Sequence, residues 1–210
     1  PMGWERALIE SIERDDKIGA VGPLSNSISG RQMIKVEYKE DSDFEDYSLS
    51  HRQKFKNMLT PRRRLAGFAI LIRKSTYKKI NGFSEDYEIG NFEDDDLSLK
   101  IRKLNLSLMV DESVLIHHYG SQSFIENNID YNSTMSKGYK IFKKNWPNID
   151  YEELLEIKNP LPEWEKYALE SAFNIYKNND LNRSLILVNR ILAINPISAD
   201  TIFLKSLILF

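Results

Sequence analysis

The stretch from Gly82 to Asp96 constrains this chain more than any other, because it ends in a row of carboxylates, Glu93-Asp94-Asp95-Asp96. Adjacent like charges repel, and a fold that keeps them side by side needs cations, backbone donors or solvent to offset the repulsion. Leu97, Ile101 and Leu104 follow at helical spacing, so the acids open a helix. In a first turn they face the positive end of the helix dipole, a gain of about 0.3–1 kcal/mol each when exposed. A solvated helix start is the plain account of such a run. The approach points instead to a ligand: Gly82-Phe83 and Gly90-Asn91 bracket a short loop carrying Phe92, and glycines there let backbone turn tightly and lie close to a bound molecule.

The rest of the chain reads as alternating helices and short buried strands. Trp4, Leu8, Ile9 and Ile12 share one helical face, and Ile18 to Leu24 is an apolar strand that turns at Gly22-Pro23. Residues 26 to 64 are irregular and polar, acidic first and basic later, and long for a structureless connection, which suggests a binding loop with some helix of its own. Leu65 to Ile72 reads as a second strand, Lys74 to Ile80 as a helix stopped at Asn81-Gly82, and Ser107–Val110 and Val114–Ile116 as two short strands, the latter running into His117-His118. Asp130 to Trp146 is helical, with Tyr139, Phe142 and Trp146 on one face. Prolines 147, 160 and 162 mark residues 148–162 as a linker with a short helix at Tyr151–Ile157.

Lysine plus arginine (29) nearly balance aspartate plus glutamate (31), so the chain lacks the basic field of a nonspecific nucleic-acid binder. The absence of cysteine excludes disulfides, thiolate zinc sites and cysteine nucleophiles, and suits a reducing compartment. No apolar run approaches the roughly 20 residues of a membrane span and no signal-peptide design opens the chain, so a cytoplasmic location is expected. The chain opens without a lead-in and stops within an apolar helical pattern at Phe210, so both ends read as cut.

Gly82-Phe83-Ser84-Glu85, then Gly90-Asn91-Phe92-Glu93-Asp94-Asp95-Asp96-Leu97, then His117-His118-Tyr119-Gly120-Ser121 resemble the second half of a family 2 glycosyltransferase domain of the GT-A fold. Val21-Gly22-Pro23-Leu24-Ser25-Asn26 fits the same pattern, and the resemblance runs from Ile18 to Trp146. Asn81 replaces the first glycine of the family's glycine pair and Ser84 its usual aspartate. The resemblance implies an α/β fold, a partial GT-A domain over residues 1–147, that carries the acceptor side of an inverting transferase. It implies Asp94 as the base that takes the acceptor proton. Glu93, Asp95, Gly90, Asn91 and Phe92 would form the acceptor site, and His118, with His117 as its rival, would join a manganese or magnesium ion. A carboxylate crowded by others is expected to have a raised pKa, which suits such a base. Because histidines alternate faces along a strand, at most one of the pair should face a given site.

Residues 163–210 are helical throughout and resemble a truncated tetratricopeptide repeat, with Ala172 and Ser184 where the paired helices meet, Asn179-Asp180-Leu181 at the turn and Pro196 closing the unit. So short an array needs further repeats or support from the preceding domain. The family's metal-holding D-x-D belongs to the first half of its domain. Asp41-Ser42-Asp43 spells that motif but follows Tyr38-Lys39-Glu40, which is no buried strand, so a solvated acidic loop is expected there. The donor-binding half therefore lies outside these residues, and the 210-residue piece alone is expected to transfer no sugar. Arg62, Arg63 and Arg64 could meet a diphosphate or an anionic acceptor, with a solvated basic face as the plainer account. Two other function classes stay open: a protein-interaction module that works through the repeats on a degenerate scaffold, and a divalent-cation site built on Glu93 to Asp96.

Overall fold

A computed structural model describes residues 3–38, 40–87, 90–120, 126–127, 130–156, 162–194 and 198–209. Ser121, Ile157, Pro160 and Pro196, on which some expectations fall, lie outside the described residues.

The chain folds around two long neighbouring strands, β1 (Ile18–Ser25) and β4 (Ser107–Ile116), which run parallel. β2 (Leu59–Arg62) pairs antiparallel with the outer side of β4, and β3 (Leu71–Ile72) antiparallel with the outer side of β1. The result is a mixed four-stranded sheet in the order β2-β4-β1-β3. Every residue of β1 is buried, the mark of a strand covered on both faces. One apolar layer joins it to helix α1 (Trp4–Ile12) through Leu8, Ile12, Val21 and Met109; the other joins it to helix α4 (Glu93–Lys103) through Ala20, Leu97, Ile101 and Val110. Ile9 and Leu104 fall off these faces and are exposed, because each helix covers the sheet with a stripe narrower than its apolar content.

Three strand expectations need correction. The pair of strands foreseen at 107–110 and 114–116 is one strand. Pro23 sits opposite Asp111 and Leu24 opposite Leu115, so the intervening polar residues are absorbed as a bulge. Asp111 accepts hydrogen bonds from the hydroxyls of Ser11 and Ser113, both 2.7 Å, which is how a carboxylate survives there. Within the stretch 65–72 only Leu71–Ile72 is strand. Leu65 and Ala66 are buried, but their backbone amides go to Ser98 Oγ (3.0 Å) and Gln32 Oε1 (2.7 Å), so side chains replace the ladder. The irregular stretch before them contains helix α2 (Phe44–Lys54) and all of β2, whose Pro61 is tolerated because the strand is at the sheet's edge.

Helix α3 (Lys74–Lys79) follows β3. α5 (Tyr131–Asn145) and α6 (Tyr151–Leu154) are both capped by aspartate: Asp130 accepts from the amides of Asn132 and Ser133, Asp150 from those of Glu152 and Glu153. Phe142, Trp146 and Leu154 then close over Phe92 and Leu99, so the segment read as a linker packs against the acidic helix.

The helical tail comprises α7 (Pro162–Lys177), α8 (Leu181–Ile194) and α9 (Ala199–Leu209). Ala172 and Ser184 are fully buried where α7 meets α8, and Ser184 Oγ donates to the Ala172 carbonyl at 2.8 Å. The tail's core extends into the sheet domain by taking in Phe55 and Met58. Arg190 of α8 pairs with Glu112, which lies in the β4 bulge and also meets Arg62 at 3.4 Å, and Arg183 donates to the carbonyls of Lys54 and Lys56.

Candidate active site

The parallel pair places the carboxyl ends of β1 and β4 side by side, where open α/β sheets offer a crevice to ligands. The loop after β1 returns onto it through Ser25 N–H to Gln32 O (2.9 Å) and Ile34 N–H to Ser25 O (2.9 Å), and so stands up as a wall. Together with the segment after β4, the turn at 66–68 and the start of α4, it encloses a cavity of about 800 Å³. Glu93, Asp94, Asn91, His117 and His118 all line it.

The start of α4 is an unusual piece of backbone. Gly90, Asn91 and Phe92 have φ of 106°, 71° and 73°, so three successive residues occupy the left-handed half of conformational space. For an aromatic such as Phe92 this is uncommon and is held only by its surroundings. Its ring is buried among Phe142 (5.5 Å), Tyr151 (5.0 Å) and Tyr139 (5.7 Å). The Asn91 amide donates to Thr134 Oγ1 at 2.9 Å. α5 approaches so closely at Gly138 that an added Cβ would come 2.7 Å from the Asn91 carbonyl. This packing decides which way the acids point.

They point in different directions. Asp94 turns to the cavity, with Oδ2 accepting from Arg64 and from the Gly67 amide (both 2.9 Å) and Oδ1 from the Asp95 amide (2.9 Å). Glu93 lines the cavity too, and its Oε2 is buried with no hydrogen-bond partner among the described residues. Asp95 is buried behind them, paired with Arg64 Nε and accepting from the Tyr151 hydroxyl at 3.0 Å. Asp96 accepts from the Trp146 indole at 2.8 Å and pairs with Lys100 at 2.7 Å. The four carboxylates do not converge on one point, and among the described residues no three ligand-type side chains do.

Burial, and then the charge of Asp94, push the Asp95 carboxyl up to about 7 even with Arg64 and the Tyr151 hydroxyl working the other way. Burial and Asp94 likewise raise Glu93. Burial works against the Arg64 charge, but Asp95 and Asp94 outweigh it and hold the guanidinium charged. The Tyr151 hydroxyl is raised by burial and by Asp95.

Of the expected acceptor residues, Glu93 and Asn91 reach the cavity, whereas Phe92 and Asp95 are packed beneath its floor and Gly90 contributes a hinge of backbone. Both histidines line the cavity, against the expectation that one would turn away, because β4 ends at Ile116 and strand alternation no longer governs them. They differ in how they are held. His118 Nδ1 lies 2.6 Å from the Ser27 carbonyl, which can only accept, so this nitrogen carries a proton, and in the neutral ring Nε2 is the one that holds the lone pair. His117 Nδ1 is 2.5 Å from the Tyr38 hydroxyl, and its ring is wedged among Tyr38, Phe44 and Tyr119. As a ligand for a divalent ion His118 fits better, since such histidines fix one nitrogen on a carbonyl and offer the other.

The arginines are neither a solvated face nor lining of the cavity. Arg62 and Arg64 side chains are 9% and 8% exposed, Arg62 pairing with Glu112 and Glu156 and Arg64 with the acids. Sequence reasoning missed the residues behind the run: Trp146 and Tyr151 lie 50 and 56 positions from the acids they bond, and no local pattern announces such contacts. It also missed the turn at Gly67-Phe68, which the strand reading concealed.

No family model, curated protein or solved structure matches this chain.

Proposed function

We propose that the chain carries the acceptor side of an inverting glycosyltransferase of the family 2, GT-A type, with a tail of tetratricopeptide kind. The observation that supports this reading is the meeting of Asp94 with His118 in one cavity at the carboxyl ends of β1 and β4. Asp94 accepts the proton of an acceptor hydroxyl. The acceptor oxygen forms a bond to the anomeric carbon of a nucleotide-diphosphate sugar as the bond from that carbon to the diphosphate oxygen breaks, and nucleoside diphosphate departs. Arg64 and the Gly67 amide hold the carboxylate in one orientation while the proton moves. Glu93, which lines the cavity beside Asp94, takes a second hydroxyl of the acceptor molecule. His118 would supply one ligand to a divalent cation, which would neutralise charge on the leaving diphosphate.

The test is Asp94→Asn in a transferase that unites this chain with a donor-binding half. Transfer should fall by about 10²–10⁴-fold in kcat, the usual contribution of a general base. Near-normal turnover removes Asp94 from the role.

A second reading, a protein-interaction module acting through the tail, draws on an apolar groove of about 270 Å³ between α7 and α9, lined by Phe173, Phe203 and Leu207. It gains if the intact protein transfers nothing and the tail retains a specific partner.

A further inference from the structure

The cavity contains an aromatic element that the proton transfer does not use. Tyr119 is 65% exposed, yet its ring is held in place: the hydroxyl donates to Asp41 Oδ2 at 2.8 Å and the ring centroid lies 4.4 Å from that of His117. An exposed tyrosine fixed before any ligand arrives offers a flat apolar face with little left to lose in conformational freedom. Phe68, with its ring 5.5 Å from His118, and Tyr131 add further rings to the lining. Ser27, Ser29, Glu93 and Asp94 line the same cavity, so it presents aromatic faces and hydrogen-bonding groups together.

That combination fits one acceptor chemistry. A pyranose presents a face of C–H bonds to an aromatic ring and an edge of hydroxyls to carboxylates. The hydroxyl of a serine or threonine brings no such face, and a lipid chain needs continuous apolar surface. We infer that the acceptor is a saccharide whose ring lies on Tyr119 while one of its hydroxyls meets Asp94. This rests on the transferase reading of the same cavity.

The experiment titrates methyl glycosides of glucose, galactose and N-acetylglucosamine into the 210-residue chain and follows them by saturation-transfer NMR, with N-acetyl-serinamide as the non-saccharide control. At least one glycoside should bind in the millimolar range. Tyr119→Ala should weaken it about tenfold and Tyr119→Phe by less than about threefold, since the ring and not the hydroxyl makes the contact. Circular dichroism of both variants should match the parent. Equal binding by Tyr119→Ala, no binding of any glycoside, or binding of the serinamide alone overturns the inference. Asp94-dependent transfer to a peptide hydroxyl would defeat the saccharide while leaving the transferase standing. Tyr119-dependent glycoside binding combined with Asp94-independent transfer would do the reverse.

Discussion

Asp41-Ser42-Asp43 and Glu93-Asp94-Asp95-Asp96 are both acidic runs on helical turns, and the molecule treats them differently. The first lies on an exposed 3-10 turn, where solvent compensates the charge and Asp41 receives a hydroxyl from Tyr119. The second is clamped: Asp95 and Asp96 are 1% and 2% exposed, and Arg64, Tyr151, Trp146 and Lys100 are their partners. Buried carboxylates need those partners, because removing one side of a buried pair leaves the other uncompensated. The lower pair of acids thus fixes the helix start and leaves Glu93 and Asp94 facing the cavity.

The contrast breaks most readily at Arg64. Arg64→Met should cost about 3–5 kcal/mol, a fall in Tm of roughly 10 °C for a chain of this length, whereas Asp43→Asn should stay within about 0.5 kcal/mol. Thermal melts of the two variants side by side measure the difference, and equal melts would mean that the clamp does not hold the helix.

A smaller effect sharpens it. Asp95 is raised in the folded chain to about 7, above an unfolded value near 4. The folded state then binds the extra proton, so the stabilisation is complete below about pH 4 and is lost as pH rises through about 7. Asp95→Asn should flatten the dependence of Tm on pH across that window. A slope unchanged by the substitution would assign the titration to another group.

Sequence patterns revealed the acidic helix, the strand at β1, the helical tail and the two histidines, because each rests on local spacing or on a short motif. They did not reveal β2, since Leu59-Thr60-Pro61-Arg62 has no alternation and its place is set by β4. They split β4 at Asp111-Glu112-Ser113, because polar residues in a strand read as a turn until their partners are known: Ser11 for Asp111, and Arg62 with Arg190 for Glu112. The site divided along the same line. The run and the strand end marked where to look, and it was the resemblance that singled out Asp94 and His118 there, both of which line the cavity. The burial of Asp95 depends on Tyr151 and Arg64, and a run of like residues gives no sign of which member turns inward.

Phe55 and Met58 belong in sequence to the sheet domain and in space to the core of the tail, while Glu112 answers to an arginine from each side. The place where the sequence pattern changes is therefore not a seam along which the molecule can be divided. Cutting the chain there would wet two large apolar side chains and strand a charge, so these two lengths of polypeptide should denature as one cooperative body.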